Sequence, residues 1–438
     1  MLLNKKMFGR LGSLCFLLIT LSTSSAQEEI FSLGFQLGPG ARAVSMGGAY
    51  TALGGDYSAS FWNPATLTGI RRIELFGSMG HLMRESTTGL SNLSTDDVEH
   101  DASFTKLSDF GLAYPVPTVR GSMVFSFGFN RVKTFDSNFA FEWFNDTPDD
   151  KVGQAWREIS NGTLNVWNLS GAVDVSKNMS VGLGLNFWTG GEDFESTFRE
   201  SDNTQKYTFD RFTTEDNLNT DITGFNLKLG SLLRFGPLMR IGATISTPVK
   251  FKVEEDWSYH ELTEFDDGTF IDSVNSGFFE YNIKSPWTFT AGASVNFLNF
   301  VFSGDLEYND WSQIRFTSEP PVSDLTETEA NRIIRDKYRP TTRIRLGGEF
   351  TLPLTGLSFR AGYFLDPSIL QNRDQDEDKQ FLSAGFGFLI DKQVKLDIGL
   401  VHGFWKAFDS GLPQTDDIGD YVEDIKVNKV FVSLAFRY

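Results

Sequence analysis

An alternation of apolar and polar residues with a period of two constrains this chain more than any other feature. At the C-terminus Val430, Val432, Leu434, Phe436 and Tyr438 fall on one side, and Lys429, Phe431, Ser433, Ala435 and Arg437 on the other. Phe300, Phe302, Leu306 and Tyr308 alternate with Ser303, Asp305, Glu307 and Asn309. Val394, Leu396, Ile398 and Leu400 alternate with Lys395, Asp397 and Gly399. A helix would scatter these residues around its circumference, whereas a strand places one set toward lipid and the other toward water. No segment after the N-terminal region holds a run of apolar residues long enough for a spanning helix. The remaining membrane-spanning structure is a closed β-barrel, because backbone groups in lipid must be paired internally.

Runs of this kind occur near 70–80, 104–116, 121–132, 164–175, 178–189, 220–235, 239–252, 286–297, 299–310, 341–352, 356–366, 380–390, 394–404 and 427–438. Between them, short links such as Ser176-Lys177, Gly236-Pro237-Leu238 and Asp391-Lys392-Gln393 alternate with long polar segments. Short turns on one side and long loops on the other are the outer-membrane pattern. The expected fold is an all-β transmembrane antiparallel barrel of about 14 strands, with both termini in the periplasm of a Gram-negative-type bacterium. Residues 70–438 would form the barrel. Thr326 and Glu329 have capping-box spacing ahead of Ala330 to Lys337, so one external loop is expected to carry a helix.

The N-terminus reads as an export signal. Lys5, Lys6 and Arg10 precede the apolar stretch Leu11 to Leu21, and Ser24-Ser25-Ala26 offers small residues for cleavage after Ala26. Residues 1–26 are therefore expected to be a signal peptide, with Gln27 as the new N-terminus. Cys15 is the only cysteine and lies inside that stretch, which excludes disulfides, thiolate metal sites and a cysteine nucleophile from the mature chain. A formal net charge of −18 disfavours nucleic acid as a partner. Acidic loops suit a lipopolysaccharide surface and outer-membrane lipids.

Residues 27–69 do not read as strands. Gly38-Pro39-Gly40, Gly47-Gly48, Gly54-Gly55 and Asn63-Pro64 keep the segment irregular. Phe31, Phe35, Tyr50, Phe61 and Trp62 are too many large apolar groups for a free tail. Irregular backbone at membrane depth must be surrounded by protein or water, so the segment is expected to fold inside the barrel as a plug. Residues 42–67, RAVSMGGAYTALGGDYSASFWNPATL, resemble the N-terminal hatch of the FadL/TodX family of outer-membrane transport proteins. The family's hatch motif is met by Asn63, Pro64 and Ala65. DLEYNDWSQI at 305–314, RIRLGGEFTL at 343–352, LSFRAGYFLDPS at 357–368 and the terminal VFVSLAFRY are similar to its late strands.

This resemblance implies a monomeric 14-stranded barrel that passes long-chain fatty acids or other hydrophobic compounds by diffusion. It implies no cofactor, and a sideways exit beside a kink in the third strand, here about 121–132, where Gly128 is a candidate. An alternative within the same resemblance is a PorV-type interaction protein that binds protein cargo of a secretion system.

The inward face is charged. Asp305, Glu307, Arg343 and Glu349 are expected to form a network, with Asp305 and Glu307 facing Arg343 and Arg345, and Arg360 near Glu349. Arg345 and Arg360 are the candidates for receiving a ligand carboxylate, since a guanidinium offers a bidentate fork. Phe139, Phe141 and Trp143 lie in the aromatic stretch 135–146 and are candidates for capturing an apolar tail. The four histidines, His81, His100, His260 and His402, are far apart and form no local catalytic or metal-binding motif. No enzyme and no metal site is expected.

Overall fold

The computed structural model describes residues 38–90, 98–146, 151–321, 325–372, 375–390, 393–409 and 421–438. The proposed signal peptide and residues 27–37 lie outside the described residues. Fourteen antiparallel strands close on themselves. They are β1 (Glu74–Leu90), β2 (Val98–Val116), β3 (Met123–Thr134, resuming as Ser137–Asp146), β4 (Lys151–Ser176) and β5 (Met179–Ser201). Next come β6 (Phe209–Phe235), β7 (Met239–Ser246, resuming as Lys250–Phe265), β8 (Phe270–Lys284, resuming as Thr288–Phe297) and β9 (Phe300–Asp310). The ring is completed by β10 (Pro340–Thr351), β11 (Leu357–Asp366), β12 (Lys379–Ile390), β13 (Val394–Asp409) and β14 (Tyr421–Arg437). Each pairs with its sequence neighbours, and β14 pairs with β1 from Glu74↔Arg437 to Leu90↔Tyr421. The amide of Tyr438 donates to the carbonyl of Ile73 at 2.9 Å, so barrel start and chain end share one rim.

The alternation has its expected physical cause. In β9, Ser303, Asp305, Glu307 and Asn309 are buried, while Phe302, Leu306 and Tyr308 are exposed on the outer face. No described helix is long and apolar enough to cross a membrane, and the crossing elements are strands.

Much of what the sequence presents as long polar loops is continued strand. β4, β5 and β6 have 26, 23 and 27 residues, against roughly 9–11 needed to cross a bilayer. Their far halves rise beyond the membrane with β7 and β8 to make a tall wall. Pro248 and Pro286 break β7 and β8 at matching heights, since proline cannot donate to the ladder. The two breaks are stitched by Ser285 N to Val249 O at 3.0 Å and Val249 N to Ser285 Oγ at 2.9 Å.

Residues 38–70 pack against the inner faces of the strands and are almost entirely buried. They form helices α1 (Ala41–Ser45) and α2 (Ala59–Trp62) and a 3-10 turn at Pro64–Gly69. Gly47 and Gly48 have φ of +62° and +72°, which a side chain would oppose. Wall glycines make room for this segment. A Cβ on Gly347 or Gly362 would strike the Met46-Gly47 backbone, and one on Gly182 or Gly230 would strike Asn63, Pro64 or Ala65. The abundance of glycine thus has a packing reason.

Helix α3 (Glu327–Lys337) carries the expected capping box, with Thr326 accepting from Glu329 N and the Glu329 carboxylate accepting from Thr326 N. Ala330 and Ile334 bury it against a cluster that includes Trp311, Ile314 and Phe316.

Candidate functional site

Asn63 is the pin between the inner segment and the wall. Its Nδ2 donates to Thr51 O at 2.8 Å and to Ser231 O of β6 at 2.9 Å, while its Oδ1 accepts from Ala65 N at 3.0 Å. Pro64 opens the 3-10 turn, where its lack of an N–H costs nothing. Asp305 of β9 receives the amides of Tyr50 and Thr51, each at 2.8 Å. Arg42 forks onto Glu349 at 2.9 Å through both Nε and Nη2 and reaches Gly54 O. Arg437 of the last strand joins Glu74 of the first, at 2.7 Å, to Gly55 O.

Above Phe61 and Trp62 lies a cavity. Its apolar lining includes Phe61 and Trp62 from the inner segment and Trp188, Phe251, Trp311 and Phe364 from the wall. The two proline breaks, with Thr247, Val249, Ser285 and Pro286, form part of one side. Lys228, Arg343 and Arg345 face it, against the single lining carboxylate Glu307. Glu307 holds Arg343 at 2.8 Å and Arg345 at 3.2 Å, and Arg343 is held again by Asp366 at 2.5 Å. The Arg345 guanidinium also lies over the Trp62 and Phe364 rings, 5.5 and 5.1 Å from their centroids. Lys228 donates to Phe61 O at 2.6 Å. Chemically this is an apolar chamber with an excess of positive charge along one edge, the arrangement that binds a tail by area and a head by charge.

The expected register is met, with Asp305 opposite Arg345, Glu307 opposite Arg343 and Glu349 opposite Arg360. The structure divides the candidate arginines. Arg345 lines the cavity. Arg360 contacts Glu349 at 2.6 Å and Asp397 at 2.8 Å within the network that ties Arg42 to the wall, and it is not among the cavity-lining residues. Trp143 packs beside Phe198, with centroids 6.3 Å apart, and does not line the cavity either. The backbones of Phe139 and Phe141 pair with Glu158 and Trp156 in the tall wall; their side chains lie outside the described residues. Sequence reasoning missed Trp188, Phe251 and Trp311. The available signal was adjacency, because in Phe187-Trp188 a strand must send one of the two rings inward.

At β2 and β3 the ladder is incomplete. These strands pair only from Asp109↔Asn130 to Val116↔Met123. Beyond that point β2 continues against β1, with a register shift at Ser78/Met79, and β3 continues against β4, with a shift at Arg131/Lys133. Gly128 is not itself the irregularity; with Gly111 it makes the space occupied by the Tyr57 ring.

Comparison with known proteins agrees with this architecture. A family model described as outer membrane protein transport protein (OMPP1/FadL/TodX) matches residues 21–438. The crystal structure of the Pseudomonas putida toluene transporter TodX superposes with a TM-score of 0.61 at 12% identity, covering 92% of this chain and 99% of that one. A Pseudomonas aeruginosa FadL homologue gives 0.59 at 13% identity, covering 91% and 98%. The Ralstonia pickettii toluene transporter TbuX gives 0.53 at 16% identity, covering 92% and 100%. No curated protein matches the chain in sequence. This chain belongs to the FadL/TodX family of outer-membrane transport proteins, a family of channels and not of enzymes.

Proposed function

We propose that this protein carries hydrophobic compounds passively across the outer membrane, and that its substrate is an amphiphile with an anionic head, such as a long-chain fatty acid. The cavity carries this reading, through its aromatic lining and its three basic side chains against one carboxylate. TodX and TbuX are toluene transporters by name. With Asp366 counted behind Arg343, the three cations Lys228, Arg343 and Arg345 meet two carboxylates, so one positive charge is left at the edge; buried charge is costly unless it meets charge, and a neutral hydrocarbon supplies none. An acid supplies it. Each buried CH₂ of a tail contributes about 0.8 kcal/mol.

In this reading residues 1–26 are removed on export and the mature protein acts as a monomer. Residues 27–69 are the hatch, and the ligand leaves sideways where β2 and β3 part, beside the Lys106–Asp136 ion pair that bridges the parting. The test is equilibrium binding of palmitate and methyl palmitate to the purified protein. Replacing Arg345 by Ala is expected to weaken palmitate by roughly tenfold and to leave the ester nearly unchanged. Equal losses for both would mean that Arg345 only braces the barrel.

A further inference from the structure

A second cavity sits beside the parting of β2 and β3. Its charge runs against that of the chain. Lys106, Arg131, Lys133 and Lys429 line it, from β2, β3 and β14, and Asp136 is the one carboxylate among its lining residues. The protein as a whole carries −18, so four cations gathered from three strands are a local reversal. Asp136 is already engaged by Lys106, by Thr134 Oγ1 and by the amide of Gly162 at 3.3 Å. The Arg131 Nε and Nη1 atoms are closed off from solvent and have no hydrogen-bond partner among the described residues. Two shielded donors without a partner, on a half-buried guanidinium, call for an anionic acceptor.

The rest of the lining suits a chain attached to such an anion. Leu82, Phe104, Val132 and Phe431 give apolar surface next to the cations. Both flanking register shifts fall here, and such shifts re-aim side chains at functional positions. Gly38 lines this cavity and the first one as well, so the two adjoin at the start of the described inner segment.

We infer that this cavity is a second anion site, which takes the negatively charged head of an amphiphile as it passes from the main cavity to the β2–β3 parting. Arg131 is the principal donor, and Asp136 holds Lys106 across the parting until a ligand head competes for it. The inference rests on the transport reading for its ligand, but its chemistry can be tested alone.

The experiment uses the full mature protein in nanodiscs of neutral phosphatidylcholine, with acetylation of Lys106 followed by peptide mass spectrometry. The probes are palmitate, methyl palmitate, inorganic phosphate and lipid A. Palmitate is expected to slow Lys106 acetylation at least about threefold at saturation, methyl palmitate to have no effect, and Arg131→Gln to abolish the protection while the barrel keeps its heat-modifiable mobility. Protection by phosphate as well as palmitate would support a site that reads the head alone. Equal protection by acid and ester, protection by lipid A alone, or protection surviving in Arg131→Gln would overturn the inference. Protection by palmitate in a protein that carries nothing into liposomes would leave this site standing and remove only the transport reading. Transport of palmitate with no protection at Lys106 would do the reverse.

Discussion

Glu307 neutralises two arginines at once, and it is the residue on which the main cavity's charge depends. Glu307→Gln would leave Arg343 with Asp366 alone and would remove from Arg345 its ion-pair carboxylate. The expected result is tighter binding of an acid and a barrel less stable by about 3–5 kcal/mol, as for any buried pair that loses one partner. A palmitate titration and a thermal unfolding curve on the same variant check both signs; weaker acid binding would place the head elsewhere. Asn63→Ala removes hydrogen bonds to Thr51 and Ser231 together with the cap on Ala65 N. It is expected to cost about 1–3 kcal/mol and to raise amide exchange across Pro64–Gly69 before the strands are affected. The pairing of Asp305 and Glu307 against Arg343 and Arg345 was legible in the sequence, because β9 and β10 alternate cleanly. That Asp305 turns to the amides of Tyr50 and Thr51 was not, because an irregular segment has no period from which to read its contacts.

At the scale of elements, the sequence disclosed the strands inside the membrane and hid their continuations. Within lipid one face is apolar and the other polar, so β9 or β13 announces itself. Above the membrane both faces of a wall meet water, the period-two signal fades, and stretches such as 190–201 and 209–219 read as polar loop although they are strand. The docking of the inner segment on the wall depends on glycine where other residues would collide. Gly230→Val is expected to displace Asn63 and Pro64 and to let a small sugar leak into liposomes faster than through the parent protein; an unchanged leak would mean that the hatch does not seal there. The β2–β3 parting is tested by Lys106→Cys with Asp136→Cys, whose side chains now meet as an ion pair. Cys15 is the chain's only cysteine, and in the proposed reading it is removed with residues 1–26. Joining the two thiols with a short cleavable bifunctional cross-linker is expected to arrest uptake and cleavage of the linker to restore it, whereas full uptake with the cross-link formed would put the exit elsewhere.

For the whole molecule, the barrel and its inner segment enclose two cavities that share Gly38, one beside Phe61 and Trp62 and one beside the place where β2 and β3 separate, and the proposed reading joins them into one route. Fold and family were readable from alternation and from the Asn63-Pro64-Ala65 motif. The chamber was not, because its aromatics come from the inner segment, β5, β7 and β11 and from Trp311 just beyond β9, and only closure of the ring brings them together. Passive conduction of a hydrophobic compound is measured most directly as uptake into liposomes holding the purified protein. Labelled palmitate, toluene and a small sugar are compared with empty liposomes. Palmitate is expected to enter fastest, toluene to gain less, and the sugar to match the empty control. If no hydrophobic compound enters faster than in empty liposomes, while a secreted protein binds the barrel stably, the protein is a cargo-binding member of the family and not a conduit for hydrophobic compounds.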